Sequence, residues 1–386
     1  MMKKRAVTRE CPFEYLRRKD THEPFPEETV RNWYIARAYV LDKLKDISFC
    51  PGSGEHLHAV VEGDSPIMLS VLRQLALSAH YVNFEEHDLS GRLVCRNRSV
   101  LTLVSRMDPQ QIVGELEREE YLSNLLKCCR YSLFGAIRNA DSYLDIELEI
   151  VKERPEGSGV VMMTEEEVKS FLESSTPEAV FSVDTRKAVY AGRAYNLGAV
   201  IDNIPYESIC SAGRYNRALA TFQYKVLKDT EGARLVRESE WKENLTAVKN
   251  GLSNLFCADC FESREWAIRR MYPAGKRRTE AEVMAVWEKY NDALSQSEHG
   301  RWIVEKLILG YRPLNAQERA EYAARFGRSR VVYSKFLRDR SADPVHIDLC
   351  SYRTLRRVDP DNLKYDSFLM LAIPLILGRI REDDGN

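Results

Sequence analysis

Apolar residues recur at threes and fours near the start of the chain, at Trp33, Ala36, Tyr39, Val40 and Leu44, the spacing of one buried helix face. Pro26-Glu27-Glu28-Thr29 just upstream supplies start signals, so residues 1–45 read as a polar arm leading into a helix. The period then changes. Leu57-His58-Ala59-Val60-Val61 reads as a strand, Glu62-Gly63-Asp64-Ser65-Pro66 as a turn and Ile67 to Ser78 as an apolar helix. His80-Tyr81-Val82-Asn83-Phe84 reads as a second strand. Ser65 with Pro66 makes a good N-cap and first-turn pair. The order strand, helix, strand is that of a crossover unit with parallel strands.

Further strands are expected at Ser99–Val104, an apolar run, and at Tyr143–Ile150, which alternates. A long helix over about Gln110 to Ile137 is expected between them. Gly157-Ser158-Gly159 marks a turn, Val160–Met163 a short strand and Glu165–Glu173 a helix. Residues 46–180 therefore read as a small α/β domain. From about Arg186 the spacing is helical, through Tyr190, Ala194 and Leu197 and then Tyr215, Leu219, Phe222 and Val226. Another helix is expected from Trp241 to Met271, so 181–290 reads as a helical connector and 291–386 as a C-terminal domain. There is no fixed-period repeat and no low-complexity tract.

Composition narrows the class. With 44% hydrophobic and 30% charged residues the chain is that of an ordinary folded protein, which excludes disorder. Lys plus Arg is 57 against Asp plus Glu at 58, so no global field draws the chain to nucleic acid or anionic lipid. The longest apolar run, Phe368 to Leu377, is about half the roughly 20 residues a bilayer requires and reads as a buried terminal helix broken or kinked at Pro374. The basic Met1-Met2-Lys3-Lys4-Arg5 is succeeded by Glu10, Arg17, Arg18, Lys19 and Asp20 rather than by an apolar segment, so no secretion signal is expected. The odd count of 9 cysteines, irregularly spread, fits reduced thiols in a cytoplasmic protein. Cys257-Ala258-Asp259-Cys260 is a lone CxxC without a second pair at zinc spacing.

Candidate chemistry concentrates late in the chain. Glu298-His299-Gly300-Arg301-Trp302-Ile303-Val304-Glu305-Lys306 runs at helical spacing into Gly310-Tyr311, with Glu298, Trp302 and Glu305 on one face and His299, Ile303 and Lys306 on the next. A second cluster, His346-Ile347-Asp348-Leu349-Cys350-Ser351-Tyr352, lies further along. A binding reading gives Glu298, His299, Glu305 and Lys306 charge-assisted hydrogen bonds to a polar ligand, with Trp302 and Tyr311 as stacking planes and His346, Asp348 and Tyr352 closing the pocket. A packing reading has Trp302 fill the core while Glu298, His299 and Asp348 tie helices together. Both readings stand at this point.

The pattern E-H-x-x-W-x-x-E-K-x-x-x-G-Y, then H-I-D-L-x-S-Y-x-x-L and Lys364-Tyr365-Asp366 before an apolar last helix, resembles the small ryanodine-receptor-type (RyR) repeat domain. The resemblance covers residues 291–380 and extends back to about 240 through Trp241, Leu245, Asn254, Ala258-Asp259, Ser263-Arg264 and Ala267-Ile268. Ile347 and Ser351 stand where the family usually has proline. The resemblance implies a ligand-sensing or interaction module in a bacterial protein, often beside a TrkA-N-type nucleotide-binding domain.

That companion bears on the Gly63 turn. A strand ending at Gly63 before the helix opened by Ser65 points free N–H groups at an anion, and Glu85-Glu86 lies about 20 residues on, where a dinucleotide fold places its ribose carboxylate. Gly63, Ser65 and Glu85 are thus the candidate cofactor residues. Only one glycine of G-x-G-x-x-G remains, and Glu62 and Asp64 oppose a pyrophosphate, so the unit reads as degenerate Rossmann-like. The stretch from Asp184 to Arg217 mixes arginine and tyrosine and can hold phosphate or form a structural ion network. No nucleophile, paired-carboxylate or metal spacing carries a catalytic mechanism.

The expectation is therefore an α/β domain and then a mainly α-helical C-terminal half with an RyR-type domain. Its function is sensing or regulation through a small nucleotide-like ligand or a partner protein, and a homo-oligomer is compatible with it. Alternatives are a nucleotide- or NAD-dependent enzyme using residues 57–86, or a structural subunit of a defence or transport assembly. The cofactor, if any, is open.

Overall fold

The computed structural model describes residues 25–87, 90–155, 159–181, 248–274, 278–326 and 343–384. The N-terminal arm before Phe25, the Asp184–Arg217 stretch and the helix start at Trp241 lie outside the described residues. The first half contains α1 (Glu27–Leu44), β1 (His58–Glu62), α2 (Pro66–Ser78), β2 (Glu85–His87), β3 (Leu93–Arg96), β4 (Ser99–Val104), α3 (Pro109–Arg118) and α4 (Ser123–Cys128). It continues with β5 (Arg130–Leu133), β6 (Ala136–Arg138), β7 (Ile146–Val151), β8 (Val161–Thr164), α5 (Glu165–Ser174) and α6 (Pro177–Phe181).

These build a 6-stranded sheet in the order β6-β5-β7-β4-β1-β8, parallel except for β6, with β2 and β3 forming a separate ribbon. Ala59, Val61, Leu101, Leu103, Ile146, Leu148 and Ile150 alternate along β1, β4 and β7 and are buried together, with α2 packed on β1 and β4. The helix α2 is buried from Met68 to Ser78, so even its polar Arg73 and Gln74 lie inside. Arg73 stacks its guanidinium 4.3 Å from the Trp33 ring, while Glu120 accepts hydrogen bonds from Trp33 Nε1 and Ser70 Oγ. An α1 face packed on α2 thus carries its own polar network. Thr164 and Glu167 form a reciprocal capping box at the start of α5.

The structure departs from the periodicity at particular places. His80–Phe84 is a buried turn and not a strand. The His80 ring bonds back to Ala76 O at 2.9 Å and across to Asp145, and Phe84 N closes on Tyr81 O. A short apolar run has the same pattern in a buried turn as in a strand. The strand that enters the sheet after α2 is β4, with Val100 opposite His58. The expected helix over 110–137 is divided, because Tyr121 sits at φ 59 and the chain then turns at Phe134 (φ 47) and Gly135 (φ 89). Left-handed backbone cannot continue an α-helix. After α4 the chain enters the β5–β6 hairpin instead.

The second half is helical, with α7 (Val248–Asp259), α8 (Phe261–Arg269), α9 (Glu280–Lys289), α10 (Asn291–Ile308), α11 (Ala316–Phe326), α12 (Tyr352–Val358) and α13 (Pro360–Asp384). Two short strands, β9 (Arg312–Pro313) and β10 (Val345–His346), pair in parallel. The helix expected from Trp241 to Met271 is interrupted at Cys260, whose φ of −95° and ψ of 1° leave the α region. The last helix is continuous through Pro374 and not broken there. Among the described residues no helix is long and apolar enough to cross a membrane.

The halves interlock. Helix α10 packs on α2, α4, α7 and α13. Arg37 of α1 grips Asp259 of α7, with Nε at 2.9 Å from Oδ2, and Asn124 Nδ2 donates to Tyr311 O at 2.8 Å. Glu86 accepts the free N–H groups of Tyr352 (2.7 Å) and Arg353 (3.4 Å) at the start of α12.

Candidate functional site

The helix α10 carries the polar cluster inward. Glu298, Arg301 and Glu305 are fully buried, joined by Arg264 of α8 and Ser253 of α7. Arg301, at i+3 from Glu298 and i−4 from Glu305, binds both: Nη2 to Glu298 Oε1 at 2.8 Å and Nη1 to Glu305 Oε2 at 2.8 Å. Arg264 Nη1 adds a 2.8 Å bond to Glu298 Oε2, and Lys306 Nζ a 2.7 Å bond to Glu305 Oε1. Burial alone raises a carboxyl, but Arg301 and Arg264 hold Glu298 down to about 2. Glu305 is likewise lowered against its burial, by Lys306 and Arg301. The carboxylates of Glu298 and Glu305 are thus committed to internal partners.

His299, Trp302, Tyr311, His346 and Tyr352 form one aromatic group. The Trp302 ring lies 5.9 Å from His299, stacked, and 4.8 Å from His346, edge-on; Tyr352 is 5.7 Å from His299 and Tyr311 is 6.2 Å from His346. Lys306 stands 5.6 Å over Trp302. The two histidines differ in protonation. Burial lowers His299, but Asp366 at 3.5 Å and Cys350 O at 3.0 Å face its two ring nitrogens and raise it overall. Burial, then Lys306 and His299, push His346 down to about 3, and its Nδ1 accepts the Asp348 N–H. Asp348 is pushed up to about 7 by burial and Asp359, although Asn362 donates to its Oδ2 at 2.6 Å. Sequence spacing brought these residues together as one group, in which His299 and Tyr352 are buried and Trp302, Tyr311 and His346 are half-buried.

Gly63 has φ 127, a conformation suited to glycine, but its N–H donates to Val104 O at 3.2 Å. Asp64 Oδ2 accepts the Arg106 N–H. Ser65 is the N-cap of α2 with Pro66 next, yet its side chain makes no capping bond. Glu85 is on the β2–β3 ribbon and pairs with Arg96 at 3.7 Å. At the three candidate positions, the Gly63 amide is thus used by the sheet, and Glu85 lies on the ribbon outside the six-stranded sheet. Cys257 and Cys260 are both buried, and burial pushes the Cys260 thiol up to about 11 and the Cys257 thiol well above the usual range. Among the described residues no group of three or more His, Cys, Asp or Glu side chains could hold a metal ion.

A cavity lies beside the aromatic group, not inside it. An open cleft of about 1890 Å³ has one wall from the sheet half, with Arg118, Asn124, Lys127 and Tyr143, and another from the helical half, with Arg312, Arg319, Tyr322 and Arg357. Gly310, Ile347, Leu349, Cys350 and Ser351 complete it, so the cleft is lined by sequence neighbours of Tyr311, His346, Asp348 and Tyr352. None of the nine ligand-binding residues expected from the sequence is among the lining residues. Cys128 and Tyr143 lie two and three residues before the starts of β5 and β7, which places the cleft at the amino ends of these parallel strands. The Gly63 turn is at the opposite, carboxyl end. Sequence spacing missed this site because its walls come from segments far apart in the chain and carry no shared period.

Sequence reasoning did not foresee the roles of Arg264 and Glu86 as partners of Glu298 and of the α12 start, or the buried His80–Asp145 pair. Arg301 had a signal: carboxylates three residues before it and four after. Comparisons with protein-family models, with curated proteins and with solved structures found no match for the chain.

Proposed function

We propose that this chain is a regulatory or sensor protein, and that a small ligand binds in the cleft between its sheet half and its helical half. The sheet half is read as a degenerate Rossmann-like layer and residues 291–380 as an RyR-type module. The observation that carries the reading is the cleft itself, whose walls come from both halves. Its volume is about twice the upper end of the ~300–1,000 Å³ range of small-molecule pockets. A ligand touching both walls stabilises whichever arrangement of the halves fits it best, which is the physical requirement for a population shift. The aromatic group of His299, Trp302 and His346 then acts as the packed backing of one wall.

A thermal-shift screen of small ligands, run in parallel on the Ser123→Trp variant, tests this. Ser123 lines the cleft and is not fully buried, so an indole there obstructs the cavity. Ligands that raise the unfolding temperature of the wild type are expected to lose the effect in Ser123→Trp. Ligands that stabilise both proteins equally would place the binding site elsewhere and reject the reading.

A further inference from the structure

The cleft gathers cations from separate elements. Lys127 comes from α4, Arg319 from α11 and Arg357 from α12. All three are exposed, and none has a carboxylate partner among the described residues. The other cations of the lining are engaged: Arg312 is bound by Glu318 and Asp343, and Arg118 by Glu115. The acids of the lining are Glu117 and Glu119 at the end of α3, and Asp343, which Arg312 holds. The α4, α11 and α12 sides therefore present positive charge that no side chain described there neutralises.

Like charges brought to one concave surface repel, and low-dielectric walls focus their field into the cavity. An anion with several charges relieves that repulsion. Guanidinium forks match phosphate oxygens, and Lys127 supplies a point charge beside them. The lining also offers flat and apolar surface at Tyr143, Tyr322, Leu314 and Ile347. We propose that the ligand of this cleft is an organic polyphosphate, its phosphates bound by Lys127, Arg319 and Arg357 and its aromatic portion lying against Tyr143 and Tyr322. The inference rests on the reading of the cleft as the ligand site and adds the chemistry of what occupies it.

Calorimetric titration of the full chain with ATP, inorganic tripolyphosphate and adenosine tests both levels. ATP is expected to bind, tripolyphosphate to bind more weakly, and adenosine at least 100-fold more weakly than ATP, with ATP affinity falling as salt rises. Arg319→Glu and Arg357→Glu are each expected to weaken ATP at least tenfold, whereas Lys169→Glu, an exposed charge reversal outside the cleft, leaves it unchanged. Circular dichroism checks that the variants are folded. Absence of binding by ATP and tripolyphosphate up to millimolar concentration overturns the polyphosphate. If an uncharged compound nevertheless binds the wild type and not Ser123→Trp, the cleft survives as a ligand site with different chemistry. If ATP binds Arg319→Glu, Arg357→Glu and Ser123→Trp as it binds the wild type, the site is elsewhere and both readings fall.

Discussion

Gly300 of α10 lies directly against Asp145: a Cβ built on it would meet the Asp145 Cγ and both carboxylate oxygens at 2.8 Å. Asp145 has no room to yield, because it is buried and its Oδ2 is bound to His80 Nδ1 at 2.8 Å. Ser297 Oγ, one turn earlier, donates to His80 O at 3.1 Å. The glycine in the middle of the polar cluster thus serves close approach of the helix to the sheet half.

Gly300→Ala is accordingly expected to destabilise the protein by about 1–3 kcal/mol through overpacking. Helix propensity alone predicts the opposite, a gain of about 1 kcal/mol. Urea denaturation decides between them: a variant as stable as the wild type or more so would show that the contact relaxes freely.

The ion network of α10 makes a second prediction. Arg301→Met leaves Glu298 and Glu305 buried with fewer compensating charges, a type of loss worth about 3–5 kcal/mol. Arg301→Lys recovers part of it, since one ammonium cannot reproduce the fork. Glu298 also shapes the acid limb. Its carboxyl is held at about 2, below the unfolded value of about 4.3, so its contribution is complete above that value and lost as pH falls toward 2. A stability profile from pH 5 to 2 is expected to be flatter in Glu298→Gln than in the wild type.

Asp348 gives the opposite sign. Its folded value of about 7 lies above the unfolded value of about 3.9, so the native state holds the proton more tightly and stability falls as pH rises between the two. Glu120, raised to about 7 by burial against the pull of Arg73, acts in the same direction. Asp348→Asn keeps an oxygen for Asn362 and removes the titration. Between pH 5 and pH 8 the variant is expected to show a shallower decline in urea midpoint than the wild type; equal slopes would mean that Asp348 ionises freely.

Glu86→Ala removes the acceptor at the start of α12. Loss of such an N-terminal acceptor costs about 0.5–2 kcal/mol. Hydrogen exchange is expected to speed up at residues 352–358 while the strands of the sheet keep their protection. Ser351, whose Oγ accepts the Thr354 N–H, retains part of the cap and keeps the helix from being lost altogether.

Much of this fold was legible from the sequence, for identifiable reasons. The elements α1, β1, α2, β4, β7, β8 and α5 announce themselves by periodicity and by local signals such as Ser65-Pro66 and Thr164-x-x-Glu167. The failures are conformational. Tyr121 and Phe134 take positive φ without being glycine or asparagine, so nothing at those positions marks the end of a helix. At the candidate site, spacing correctly placed Glu298 to Lys306 on one helix and brought in His346 and Tyr352 as neighbours. It could not tell an inward polar face from an outward one, because a charged residue buried with partners has the same letter as one in solvent. The cleft cations share no motif, since tertiary packing alone brings α4, α11 and α12 to one cavity.

The bonds that join the halves also have a bearing on how the chain acquires its structure. Arg37 waits 222 positions for Asp259, Asn124 waits 187 for Tyr311, and Glu86 waits 266 for Tyr352. Contacts this distant in sequence close late and slow folding. On the ribosome the sheet half emerges with its Asp145 surface bare and Glu86 without its helix, well before their partners are made. The later helices are therefore the ones that supply the partners of the sheet half.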